Sequence, residues 1–199
     1  MQADSSDWLK HCESFCAKQN IRFESQKAEI KQSGQGFEAA ARSARQDIFS
    51  TYSQDTAIIL GHHMDDQVET VFFRVLRGTG LKGLTGIQRH TKINGKDLIR
   101  PLLHVSKEEI LQFITEAQLD FIEDDSNKDN KFDRNFLRNK IFPLLEDRWN
   151  NFPQRFNKMS SIIQDRNKNY SDLIMNEYQN LIGKKIEIKK LKKVSKLII

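Results

Sequence analysis

Cysteine is scarce in this chain: two occur in 199 residues, Cys12 and Cys16. Spaced C-x3-C and without a second pair, they fit neither a zinc ribbon nor a C-x-x-C redox pair, so a thiolate metal centre is not expected. On a helix they share one face a turn apart, where small buried hydrophobes in a reducing compartment are the expectation. Long apolar runs are also missing. None approaches the ~20 residues that cross a bilayer, and Met1-Gln2-Ala3-Asp4 lacks the basic and apolar stretches of a secretory leader. A cytoplasmic chain with no membrane partner is expected. No internal repeat is evident, and charge is not concentrated in one sign. The net charge of +5 and pI of about 9.1 suit a polyanionic partner, yet a solvated basic surface explains them as well. With 38% hydrophobic and 30% charged residues, the chain supports one globular domain and part of a second.

Apolar periodicity predicts the elements. Trp8, Leu9, Cys12, Phe15 and Cys16 recur at helical spacing over residues 5–19. The loose alternation from Ile21 to Ile30 reads as a strand, and Ser33-Gly34-Gln35-Gly36 as a turn. An Ala- and Arg-rich helix is expected from Phe37 to Tyr52, a buried strand from Thr56 to Leu60, and a helix from Asp66 to Arg77. Gly78-Thr79-Gly80-Leu81-Lys82-Gly83 is a flexible loop. Asn94-Gly95 predicts a hairpin between residues 89–93 and 97–102. Ser106-Lys107-Glu108-Glu109 is a capping box opening a helix to about Gln118. Residues 123–135 are turn-rich, residues 136–149 a helix interrupted at Pro143, and residues 153–182 one long helix. A short strand and a Lys-rich amphipathic stretch are expected in residues 184–199. The alternation of helix and strand implies an α/β fold with a parallel sheet covered on both faces. Ligands of such sheets gather at the strands' carboxyl ends, which here means Gly61 to Asp66.

That segment carries the densest chemistry. His62, His63, Asp65, Asp66 and Glu69 crowd a strand-to-helix junction. Helix capping by Asp65 or Asp66, with Glu69 in the first turn, explains one or two of the acids. It leaves the paired histidines unexplained. Two reaction classes suit the cluster: nucleotidyl transfer, with an Asp holding Mg²⁺ on ATP phosphates and an Asp or His moving protons, and a metal-dependent phosphoesterase. Local spacing does not separate them.

The run Gly61-His62-His63-Met64-Asp65-Asp66-Gln67-Val68-Glu69-Thr70 resembles the A-H-H-x-D-D-Q-x-E-T motif of the tRNA(Ile)-lysidine synthetase family, a branch of the PP-loop ATP pyrophosphatases. Further motifs of that family are matched in order: Gly36 to Arg45 (G-x-E-x-x-A-R-x-x-R), Arg77 to Leu84 (R-G-[ST]-G-x-x-G-L), Ile99 to Leu103 (I-R-P-L-L), and Glu123 to Leu145 (D-x-S-N, R-N-x-[IL]-R, P-x-L). The resemblance covers about residues 1–150. It implies a Rossmann-like PP-loop catalytic domain there, with residues 151–199 as a linker helix and the incomplete start of a further domain.

The implied reaction is a ligation. ATP adenylates the wobble cytidine of a tRNA(Ile) with a CAU anticodon, and free lysine displaces AMP to leave lysidine. Asp66 is then expected to hold Mg²⁺ or move a proton, with His62, His63 and Asp65 beside it as catalytic candidates. Arg42, Arg45 and Glu69 fall on the ATP side. Arg100, Asn127, Arg134, Asn135 and Arg138 are candidate tRNA contacts, although salt bridges within the chain and turn formation are the plainer readings of several of them. A homodimer stays open as an assembly. A tRNA 2-thiolating enzyme and a non-catalytic RNA-binding fragment are the rival functions; the first usually needs cysteine pairs that Cys12 and Cys16 do not form.

The family pattern begins with a strand and S-G-G-x-D-S, whose amides wrap ATP phosphates. That motif does not occur in the 199 residues. Ser33 to Gly36 lacks its Asp-Ser. Met1 to Asp7 resembles a segment that follows the family's second strand, so the sheet is expected to lack its first elements, and Leu197-Ile198-Ile199 is expected to be cut inside a unit. The 199 residues alone are expected not to turn over ATP.

Overall fold

The computed structural model describes residues 5–28, 30 and 37–181. Helices α1 (Ser5–Lys18) and α2 (Phe37–Ser50) precede a two-residue strand, β1 (Ile58–Ile59). Then come α3 (Met64–Leu76), the single turn α4 (Leu81–Leu84), β2 (His90–Ile93) and β3 (Lys96–Ile99). A 3-10 turn at Pro101–His104 leads into α5 (Lys107–Glu116), and another at Asp125–Lys128 into α6 (Asp133–Phe136). A π-helical turn, Leu137–Ile141, joins α6 to α7 (Phe142–Arg148), and α8 (Phe152–Leu181) closes the described chain. Two compact units result: one from residues 1–60, 90–99 and 113–124, the other from 61–89, 100–112 and 125–199.

In the first unit the sheet order is β1-β3-β2. β1 and β3 run parallel, pairing Ile58 with Leu98 and Ile59 with Ile99, while β2 and β3 form the antiparallel hairpin. The fold is α/β, but its described sheet is mixed rather than wholly parallel. The hairpin sits where Asn94-Gly95 predicted it. Both residues have positive φ (51° and 83°), which a two-residue primed turn demands and which Asn and Gly tolerate best. Lys96, buried behind the turn, donates from Nζ to the Ser50 carbonyl at 2.8 Å. α2 has no basic residue in its own last turn, so a lysine from the hairpin complements the negative helix end.

Two expectations for this unit need correction. Residues 21–28 form no strand; only Phe23 among them is even half-buried, and an alternating pattern with no partner strand has nothing to pair with. Cys12 is exposed and Cys16 half-buried, both free, because α1 keeps even Leu9 and Phe15 largely in solvent. The turn at residues 33–36 and the strand and tail at 184–199 lie outside the described residues.

The second unit is built on α3. Met64, Val68 and Val71 are buried, and Phe72 meets Phe142, Phe152 and Phe156 with ring centroids 5.5, 6.3 and 5.9 Å away. These contacts draw α7 and α8 onto α3 in edge-on and tilted arrangements that suit the ring quadrupoles. The expected 136–149 helix is three pieces. The π turn at Leu137–Ile141 widens it, and Pro143 opens α7 in its first turn, where its missing N–H has no partner to lose. No helix among the described residues is long and apolar enough to cross a membrane.

Candidate functional site

α3 begins at Met64, two residues before the sequence reading, and its N-cap is His63 rather than Asp65 or Asp66. Asp66 is the third helical residue. Its Oδ2 accepts the His63 amide at 2.9 Å, the back-bond of a capping box. Asp65 looks elsewhere: its Oδ2 accepts the Lys107 amide at 2.8 Å, while the Met64 amide donates to the Val105 carbonyl at 2.9 Å. Each helix thus satisfies a free amide at the start of the other. The box expected at Ser106 is present, with the Ser106 amide donating to Glu109 Oε2 at 2.7 Å and the Glu109 amide to Ser106 Oγ at 3.2 Å.

The His63 ring lies between two carboxylates. Nδ1 is 3.3 Å from Asp65 and Nε2 is 3.5 Å from Asp66. The hydrogen bond to Asp65 holds the imidazole pKa above its ordinary value against the opposing effect of burial, and the charge of Asp66 adds to the rise. For Asp65 burial pushes upward, yet the bonds to His63 and the Lys107 amide outweigh it and the carboxyl ends below its usual range. A histidine held this way adds stability that is complete below its unfolded pKa, near 6.5, and is lost as pH rises through the higher folded value. In metal-free buffer the protein is therefore expected to lose stability from about pH 6.5 upward, and His63→Gln to flatten that part of the profile. Melting temperatures across pH 5.5–9 check this; identical slopes in the two proteins would contradict it.

One turn along α3, Glu69 is 1% exposed. It meets Arg138 in a two-pronged pair, Nε to Oε1 at 2.6 Å and Nη2 to Oε2 at 2.9 Å. Burial raises the Glu69 pKa despite the guanidinium, which pulls the other way. Arg138 also reaches Asn127 Oδ1 at 3.3 Å. Asn135 Nδ2 donates to the carbonyls of Ser126 and Asp129 at 2.7 and 2.9 Å, and Asn139 Nδ2 donates to the Asn127 carbonyl at 2.9 Å. Spaced i, i+3 and i+4, Asn135, Arg138 and Asn139 share one helical side, and together they bond the 125–130 loop.

The structure therefore brings His62, His63, Asp65, Asp66, Glu69 and Arg138 into one unit, with Asn127 on its 3-10 turn at Asp125–Lys128 and Arg134 and Asn135 on α6. Arg134, half-buried, adds positive potential at Glu69. Arg100 is in the same unit, where its Nη1 donates to the Gln88 carbonyl at 2.7 Å and its amide to that of Arg89 at 2.8 Å. Arg42 and Arg45 are exposed on α2 in the other unit. A cavity of about 290 Å³ adjoins the site, with Asp65, Glu69, Glu108 and Glu146 among its lining and Lys107 and Arg138 as its cations.

Several working residues escaped the sequence reading. Gln67 is 3% exposed and Arg74 is half-buried, and both bond the glycine-rich loop; Asn139 and Gln164 act from α7's approach and α8. A polar Gln67 beside Val68 and Val71, on the buried side of a strongly periodic helix, was the available signal.

No group of three or more His, Cys, Asp or Glu among the described residues forms a metal cage. The carboxylates do suit a cation shared with phosphates, since Mg²⁺ commonly takes only one or two protein carboxylates there. Asp66 is 26% exposed and has a second oxygen beyond the one capping α3.

Residues 1–145 match the PP-loop domain family. A protein named tRNA(Ile)-lysidine synthase from Wigglesworthia glossinidia brevipalpis is 35% identical over 187 residues, 94% of this chain and 47% of that protein. One of the same name from Haemophilus ducreyi is 36% identical over 201 residues, covering 99% and 47%. Another, from Actinobacillus succinogenes, is 40% identical over 149 residues, covering 74% and 35%. The chain spans about half the length of the curated relatives it matches first.

Proposed function

The chain belongs to the PP-loop domain family, and on that premise we propose that it supplies catalytic residues of a tRNA(Ile)-lysidine synthase. The observation that carries this reading is the α3 N-terminus, where His63 sits between Asp65 and Asp66 next to the Glu69–Arg138 pair. In the reaction, the C2 oxygen of the wobble cytidine in a CAU-anticodon tRNA(Ile) attacks the α-phosphorus of ATP and pyrophosphate leaves. The ε-amine of lysine then attacks C2, loses a proton, and AMP leaves.

Asp66 would hold Mg²⁺, which neutralises charge on the ATP phosphates. His63, already poised by two carboxylates, would take a proton from the attacking amine. His62 would orient the nucleotide or the base. Arg42 and Arg45, one turn apart on α2, would bind phosphates of ATP or tRNA. Arg100 and Arg134 would contact the tRNA backbone, while Asn127, Asn135 and Arg138 act mainly by shaping the loop that meets it. The acid-rich cavity suits a substrate carrying ammonium groups, such as lysine.

The test is lysine-dependent AMP release by the full-length protein with CAU-anticodon tRNA(Ile). Release is expected to need lysine, ATP and that tRNA together, and to stop when the anticodon is changed to GAU. AMP release indifferent to the anticodon, or transfer of sulfur in place of lysine, would overturn the reading.

A further inference from the structure

Side chains grip the far end of the glycine-rich loop after α3. Arg74 Nη1 donates to the carbonyls of Gly83 and Gly86 at 3.1 and 3.0 Å. Gln67 grips the two residues that flank Gly86: its amide donates to the Thr85 carbonyl at 3.4 Å and its oxygen accepts the Ile87 amide. Gly86 has φ +62°, and a Cβ there would strike the Gln67 side chain, so the backbone lies directly on it. The third grip comes from outside the PP-loop match. Gln164, on α8, donates from Nε2 to the Thr85 carbonyl and, at 3.0 Å, to the Ile87 carbonyl. Thr85 is buried, whereas Leu81 is 67% exposed and an added Cβ at Gly78 or Gly80 would meet nothing. Residues 83–87 form a fixed foot, and residues 78–82 project from it.

We infer that Gln164 is a positioning residue: with Gln67, the residue that follows Asp66 on α3, it sets the 83–87 foot and thereby the aim of the 78–82 segment. α8 is then a working part of the catalytic unit and not merely a connector. The inference rests on the proposed ligase reading for its catalytic half and on geometry alone for its structural half. Arg74 and Gln67 secure the loop to its own flanking helix, while Gln164 hydrogen-bonds it to α8. Methionine at 164 keeps the length and helical preference of glutamine but donates nothing. The Ile87 carbonyl would lose its Gln164 donor, and the foot would be free to shift on α8.

The experiment uses the full-length protein, wild type and Gln164→Met, in two arms. In the first, hydrogen exchange at the Gly86 and Ile87 amides is expected to rise about 10-fold in the variant, the scale of one lost hydrogen bond, with exchange in the core of α3 unchanged. Unchanged exchange at 86–87 overturns the inference whatever the activity. In the second, kcat for lysine-dependent AMP release is expected to fall about 10- to 100-fold, the effect of a sub-ångström to ångström misplacement, with KM for ATP unchanged. A looser foot with unaltered kcat would refute the positioning role. A wild-type protein that releases no AMP would instead defeat the ligase reading, leaving the exchange arm to decide the structural half.

Discussion

Replacing Asp66 by asparagine in the full-length protein is expected to slow single-turnover AMP formation by at least ~10²-fold, the usual scale for losing a metal-holding or acid–base carboxylate. Stability should hardly change. The reason lies in the double duty of this side chain. Asp66 Oδ2 accepts the His63 amide and closes the start of α3, and the asparagine side-chain oxygen can accept the same bond. Only the charge disappears, both from the proposed cation site and from the Nε2 side of His63. Asp66→Ala removes the bond as well and is expected to cost about 0.5–2 kcal/mol, as lost helix caps do. The pair of variants separates the roles. An Asp66→Asn protein with wild-type turnover would reduce Asp66 to a helix cap.

Arg138→Met is expected to destabilise the protein by about 3–5 kcal/mol, the range for stripping one partner from a buried ion pair. For a chain of this size that lowers the melting temperature by roughly 6–20 °C. Glu69 is 2% exposed at its side chain and has both oxygens on the guanidinium. Burial already lifts its pKa. Without the arginine it would lift further, and the group would take up a proton in the folded state. A carboxyl whose folded pKa is raised stabilises least at high pH, so the variant should lose stability as pH rises from about 4.5 upward, more steeply than the wild type. Adding Glu69→Leu removes the stranded carboxyl and is expected to recover most of the loss, because apolar replacements of buried pairs are often neutral or better. Denaturant melts of the single and double variants measure this. A single variant within about 1 kcal/mol of wild type would mean that the pair contributes no more than a surface bridge.

These two cases mark how differently the site residues could be read beforehand. Asp66 announced itself, since acids and histidines crowd the few residues after an apolar strand and before a helix. Arg138 could be read either as a guanidinium suited to a polyanion or as one side of a salt bridge within the chain, and the structure shows it bound to a carboxylate 69 residues away. The same separation hid the partner of Asp65, the Lys107 amide, and the acceptors of Gln164 at Thr85 and Ile87. Backbone carbonyls and amides carry no residue signature, so a side chain that bonds them is invisible in a pattern of residue types. The misread strand at 21–28 failed for a related reason: alternation describes a face, and a face becomes a strand only beside a partner.

What the sequence determined by itself is local. The hairpin turn followed from Asn94-Gly95, because few residues accept two successive positive φ values. The start of α5 followed from Ser106 and Glu109, which bond within four residues. The apolar stripe of α3 followed from its 3.6-residue period, and the ordered motifs from Gly36 to Leu145 led to the PP-loop family. Tertiary structure alone decided which charges are paired, which cap serves which helix, and that α8 completes the loop after α3. Those outcomes depend on segments distant in the chain meeting at hydrogen-bonding distance, and packing of Phe72 against Phe142, Phe152 and Phe156 brings them there.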